Sequence, residues 1–219
     1  MTHEDTCTSL QGLPEAEVVR LLEWANWENS QLWLTSPSTI HTSAVDSDGL
    51  ACAITASAGY GSGVMISGTG LWLNNSLGEI ELHPQGLQGL RPGMRLTSNM
   101  APTIARHKDD TVIAIGSPGA SRITTAIVQV LFNFIHLGMS LDEAIAHPRL
   151  HVEIVEGIPT ISFEAGLPVV PSEEFAIREF PQLSMYFGGV QAALGHSTRG
   201  LLAAADPRRA GGIADDGSS

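Results

Sequence analysis

The stretch SPSTIHTSAVDSDG, residues 36–49, decides how the rest of the chain is read. Ser36 and Pro37 end whatever precedes them, because the residue before a proline is pushed away from helical geometry. Ile40–Asp46 then reads as a short strand. Asp46-Ser47-Asp48-Gly49 is rich in turn residues, and Leu50–Ser57 reads as a second strand, so a β-hairpin is predicted with Thr39 at its entrance. Thr39 has two readings. It can be the ordinary hydroxyl residue of a turn entering a strand. Alternatively it becomes an amino terminus, whose free α-amine, of pKa about 7.7 to 8.0, activates the weak hydroxyl nucleophile of the same residue. The second reading requires scission of the Ser38–Thr39 bond, since an amide nitrogen is no base.

Upstream, residues 13–34 place Val18, Leu21, Leu22, Ala25 and Trp33 at roughly helical spacing behind Pro14, predicting an amphipathic helix. Downstream, the glycine-dense bend 59–63 leads to a third strand at 70–75, and 82–95 reads as loop. Strand Thr111–Ile115 passes through Gly116-Ser-Pro-Gly-Ala-Ser-Arg122 into a helix over Ile123–Leu137. A second helix starts at Ser140, capped with Glu143, and stops before Pro148. Strands are expected around Leu150–Ile154, Thr160–Phe163 and Gly189–Ala193, with a helix near Ser172–Glu179. The small, polar residues from Ala210 to Ser219 read as a fraying tail, flexible over 213–219.

With 219 residues, 43% hydrophobic and 16% charged, the chain can build a true core. Twenty-three acidic against 11 basic residues give a formal charge of −12, which argues against nucleic acid and anionic membranes as partners. Cys7 and Cys52 form neither a disulfide framework nor a metal spacing. The N-terminus shows no signal-peptide pattern, so the chain as given is expected to be cytoplasmic, its true location open. Ile123–Leu137 is too short and too interrupted by polar residues to span a bilayer.

The glycine turn 116–122 lacks the Lys-Ser/Thr of a phosphate loop, which makes a nucleotide-binding module a weak third class. It suits an oxyanion, because unpaired N–H groups and the helix dipole converge there; it equally suits a tight strand-to-helix connection. His147 and His151 flank Pro148 and do not form a helical metal pair. His41 fits a structural role as well as proton transfer.

Five ordered blocks then act together: Thr39-Ile-His-Thr-Ser-Ala-Val-Asp46, Leu73-Asn-Asn75, Leu96-Thr-Ser-Asn-Met-Ala-Pro-Thr103, Gly116-Ser-Pro-Gly-Ala-Ser-Arg122 and Ala205-Asp-Pro-Arg208. They resemble the small, C-terminal subunit of γ-glutamyltranspeptidases (glutathione hydrolases), members of the N-terminal nucleophile hydrolase superfamily. The resemblance implies an α+β fold, an αββα four-layer sandwich of which this chain supplies the small-subunit half. It implies three segments: 1–38 upstream, a small-subunit-like domain over 39–212, and the tail.

By the same resemblance Thr39 is the nucleophile, freed by autoprocessing to attack γ-glutamyl amides such as glutathione. Ser57 falls where the family has a second threonine near the nucleophile's amine. Gly119 and Ala120 match a Gly-Gly pair whose N–H groups form the oxyanion hole. Ser98 and Asn99 match two serines that bind the α-carboxylate, Glu79 an aspartate that binds the α-ammonium, and Ser76 a Gln or Glu. A related acyl amide, as in the cephalosporin-acylase relatives, would need no new chemistry. No metal or cofactor is implied. Family precursors carry a long N-terminal subunit with a carboxylate-clamping arginine, and only 38 residues precede Thr39. The expected partner is therefore a large-subunit-like polypeptide in a heterodimer; the alternative is a truncated, unprocessed and inactive chain that at most binds such a partner.

Overall fold

The computed structural model describes residues 39–79, 82, 86–168 and 173–215. The helix expected over 13–34, and the whole upstream segment, lie outside the described residues. In chain order the strands and helices are β1 (Thr39–Val45), β2 (Ala51–Ser57), β3 (Met65–Ile66), β4 (Leu71–Trp72), β5 (Thr103–Arg106), β6 (Val112–Gly116), α1 (Ile123–Ile135), α2 (Leu141–Ala146), β7 (Leu150–Val155), β8 (Ile158–Glu164), β9 (Ala176–Phe180), β10 (Gln191–His196) and β11 (Gly200–Ala205).

The hairpin forms as expected, β1 antiparallel to β2 from Thr39 opposite Ser57 to Val45 opposite Ala51. Its turn is closed by Asp46, whose Oδ1 accepts from the N–H groups of Asp48 and Leu50, with Gly49 at φ 77°. Burial alternates along both strands. Thr39, His41, Ser43 and Val45 therefore turn inward with Ala51, Ala53, Thr55 and Ser57, while Ile40 and Ile54 stay exposed.

The ribbon packs on a four-stranded antiparallel sheet of order β11-β10-β6-β5, β1 lying over β10 and β6, and β2 over β6 and β5. Strand β6 is buried on both faces. Ile113 and Ile115 join Ile123, Ile127 and Val130 of α1 and Leu141 and Ile145 of α2 in one apolar core. The opposite face of the sheet has small residues at Ala114, Gly116 and Gly195, where the two sheets approach closely. A Cβ on Gly195 would lie 2.6 Å from a Val45 methyl. The described residues thus supply helix, sheet and ribbon layers of an α+β fold; the second helical layer of the expected sandwich has no element among them.

The capping box of α2 is present: Ser140 Oγ accepts the Glu143 N–H and the Glu143 carboxylate accepts the Ser140 N–H. The segment expected as a helix near Ser172–Glu179 is instead strand β9, hydrogen-bonded parallel to β8, with 172 outside the described residues. Pairing with β8, and the Arg178–Glu153 ion pair at 2.8 Å, override the local helical preference. Strands β5 and β11, absent from the sequence reading, complete the edges of the four-stranded sheet. The third strand shrinks to the two-residue β4, paired with β3.

Candidate active site

The register of the hairpin brings Thr39 and Ser57 together with hydroxyl oxygens 2.9 Å apart. Ser57 Oγ also accepts the Gly59 N–H at 3.0 Å. With one acceptor position of Ser57 filled, its proton can point at Thr39 Oγ, leaving the Thr39 proton available for transfer.

Two residues along β1, His41 lies between the sheets, where a Cβ on Gly116 would overlap its ring. Its Nδ1 is 2.7 Å from Thr55 Oγ1 and its Nε2 2.9 Å from Ser43 Oγ. Ser43 donates its only proton to the Gln191 carbonyl, so Nε2 carries hydrogen and Nδ1 accepts from Thr55. Burial holds the imidazole below its ordinary pKa, and His41 is a neutral fastener between the ribbon and β10.

The turn after β6 is locked from outside. Gly119 has φ 140°, and a Cβ there would lie 2.8 Å from Gly188 Cα; a Cβ on Gly188 would in turn lie 2.7 Å from Ser117 Oγ. Ser117, fully buried, accepts the Gly189 N–H at 3.0 Å. Arg122 donates to the Tyr186 carbonyl at 3.0 Å and lies over the Tyr186 ring. Ala120 sits at φ 51°, in the left-handed region that costs a Cβ-bearing residue roughly 1–2 kcal/mol. Glycine is the unstrained residue at this position. Ala120→Gly is expected to stabilise the fold by about 1 kcal/mol, read from the urea midpoint; an unchanged or lower midpoint would show that the alanine methyl is held by packing.

The remaining candidates divide into two groups. The 74–79 segment is pinned to the end of β2: Asn75 donates to the Ala58 carbonyl at 2.9 Å, and Gly59 at φ 59° has no room for a Cβ beside the Asn75 and Ser76 backbone. Ser76 and Glu79, at either end of a short 3₁₀ turn, are thereby held near Ser57. Ser98 and Asn99 lie on the extended segment leading to β5, where Ser98 Oγ accepts the Met100 N–H; neither is hydrogen-bonded to Thr39 or Ser57 among the described residues.

A cavity of about 630 Å³ opens on the side of β1 away from β2, bounded by Thr39–Ser43, Pro118, Met185, Gln191 and the segment Arg208–Ala214. Pro118 places the turn that carries Gly119 and Ala120 on the same wall system as Thr39. The residues from Ala210 to Ala214, expected to fray, instead line this cavity, and Gly211 lies so close to the Gln191 amide that a Cβ would meet it at 2.9 Å. Met185, Gln191 and Arg209 were not singled out by the sequence reading, because nothing local marks them; Gln191 reaches β1 on β10, and Met185 and Arg209 come from the segments before β10 and after β11. Among the described residues no group of three or more His, Cys, Asp or Glu is arranged to hold a metal, and no helix is long and apolar enough to cross a membrane.

Comparison with known proteins follows the same lines. The family profile described as gamma-glutamyltranspeptidase matches residues 8–215. The chain is 34% identical over 143 residues to the glutathione hydrolase proenzyme of Pseudomonas aeruginosa, covering 60% of this chain and 26% of that protein. It is also 34% identical over 131 residues to the acylase ACY 1 proenzyme of Pseudomonas sp. (strain SE83), covering 57% and 24%. It thus spans about a quarter of the length of the curated relatives it matches. Among solved structures, γ-glutamyltranspeptidase from Pseudomonas nitroreducens superimposes with a TM-score of 0.65 at 28% identity, covering 80% of this chain and 98% of that one. The transpeptidase CapD of Bacillus anthracis superimposes with a TM-score of 0.61 at 26% identity, covering 81% and 99%. The hairpin that begins at Thr39, the locked glycine turn and the match over residues 8–215 have one common explanation: the chain belongs to the γ-glutamyltranspeptidase family.

Proposed function

We propose that this chain is the catalytic, small-subunit-like component of a γ-glutamyl amide hydrolase or acyltransferase, with Thr39 as its nucleophile. Scission before Thr39 frees an α-amine. Thr39 Oγ then attacks the γ-amide carbonyl while that amine takes its proton, and the tetrahedral oxyanion is received by the N–H groups of Gly119 and Ala120. The amine returns the proton to the departing amine, leaving a γ-glutamyl ester on Thr39. Water or an acceptor amine then releases the acyl group, activated by the same base. Ser57 holds the hydroxyl in place, and Ser76, Glu79, Ser98 and Asn99 are the candidates for recognising the glutamyl ammonium and carboxylate. No step calls for a metal or cofactor.

The observation that carries this proposal is the 2.9 Å approach of Thr39 and Ser57 at the first residue of β1. Further support comes from the exposed apolar side chains Ile40 and Ile54 on the outer face of the ribbon and Val128, Phe132 and Ile135 on α1. They fit a companion polypeptide, of the large-subunit kind, completing the sandwich. The test is co-expression with such a polypeptide and assay with a γ-glutamyl anilide. Turnover by the pair, and none by either chain alone, is expected. An associated pair without turnover would mark the chain as a non-catalytic binding subunit.

A further inference from the structure

Arg208 and Arg209 are neighbours with opposite circumstances. Arg208 belongs to a buried quartet with Arg149, Glu164 and Asp206, and all its donors are used. The two carboxylates of the quartet are also full. Asp206 accepts from the Arg208 backbone and side chain on one oxygen and from Arg149 and the Val190 N–H on the other. Glu164 accepts from the Ser184 N–H and Arg208 on one oxygen, and from the Arg149 N–H and Arg208 on the other. A carboxylate offers about four lone-pair positions, so neither has one to spare. Two cations and two anions cancel within the quartet.

Arg209 is the remainder. Its Nε and one terminal nitrogen are buried with no hydrogen-bond partner among the described residues. Burial, and then the nearby Arg122, disfavour its charge, against the attraction of Asp206. A part-buried guanidinium with two nitrogens buried and unpaired among the described residues is costly, and is retained where something brings an anion to it. Its stem packs closely over Gly189, where a Cβ would stand 2.6 Å from Cδ. The side chain lines the same cavity as Thr39, in a size range that suits small metabolites.

We propose that Arg209 and this cavity form a carboxylate-binding subsite for the small-molecule substrate. The subsite lies on the opposite side of β1 from the 74–79 turn and so is separate from the candidates for glutamyl recognition. This deepens the nucleophile proposal and rests on it for the word substrate, but the binding itself does not require turnover. The carboxylate can come from the acyl portion or from the leaving or accepting amine, and two probes separate these.

The experiment is calorimetric titration of the purified full-length protein, with any companion polypeptide that co-purifies, using L-glutamate, glycylglycine and glycylglycinamide. Variants are Arg209→Met, Arg209→Lys and Gly189→Ala, with Thr39→Ala alongside. At least one carboxylate probe is expected to bind at millimolar concentration or below. Its affinity should fall at least tenfold in Arg209→Met, less in Arg209→Lys, and measurably in Gly189→Ala. L-glutamate as that probe assigns the acyl side, glycylglycine without its amide the other. Arg209→Met should leave the urea midpoint unchanged or raise it. Equal affinity in Arg209→Met, or no binding of either carboxylate, would overturn the proposal. So would a lowered midpoint in Arg209→Met, which would show the guanidinium already paired by a protein carboxylate. Thr39→Ala abolishing turnover without touching binding keeps the two proposals distinct: loss of one does not imply loss of the other.

Discussion

Thr39→Ala is expected to leave the chain uncut before residue 39 and to lower γ-glutamyl turnover by on the order of 10⁴-fold or more, the scale seen when a covalent nucleophile is removed. Stability should change little by comparison. Thr39 is half-buried and has one hydroxyl contact, to Ser57, worth about 1 kcal/mol. The two readouts together discriminate between roles. Both readings give a small stability change, but a threonine that merely opens a strand would leave full turnover, whereas loss of a nucleophile abolishes it. Thr39→Ser keeps an oxygen and an α-amine and should retain slow scission and partial turnover. Intact-mass analysis for scission and a γ-glutamyl anilide assay, both with the companion polypeptide present, give the comparison.

The second large effect is structural. Arg149, Glu164, Asp206 and Arg208 are all buried, with Arg149–Asp206 at 2.6 Å and Arg208–Glu164 at 2.5 Å. The quartet joins the end of α2, where it takes the Ile145 carbonyl, to β8, the Phe187 carbonyl and the segment after β11. Removing one member leaves an opposite charge buried and unpaired. Asp206→Ala is therefore expected to cost about 3–5 kcal/mol, a large part of the 5–15 kcal/mol that a domain of this kind has in total. Chemical denaturation checks it. The exposed Arg199–Asp109 pair, equally close at 2.6 Å, is the control: Asp109→Asn should shift the midpoint far less, because solvent screens that pair. The loss in Asp206→Ala should extend to turnover, since Asp206 also accepts the Val190 N–H beside Gly188 and Gly189, which brace the turn carrying Gly119.

What the sequence made legible was local. Asp46 and Gly49 announce a turn, Ser140 and Glu143 a capped helix, and the glycines of 116–119 a bend, because each acts through its own backbone or a residue three or four away. Ser57 was marked by the family resemblance alone, and the hairpin register sets it opposite Thr39. The misses share the opposite character. Residues 176–180 carry no turn or cap that separates strand from helix, and β8 decided the matter. Gly200–Ala205 is alanine- and leucine-rich and becomes a strand only because β10 is there to pair with it. The quartet draws members from positions 149, 164, 206 and 208, and no spacing rule connects them. Arg209 differs from Arg208 solely in what surrounds it. The segment after Ala210 has a fraying composition, yet Gly211 packs on Gln191 because a residue without a side chain fits there.

The central claim is that the peptide bond before Thr39 is broken to make the catalyst. Its most direct test is the intact mass and N-terminal sequence of turnover-competent protein, isolated with its companion polypeptide. A chain beginning at Thr39 is the expected result. Full turnover by a chain in which Ser38 is still joined to Thr39 would contradict it.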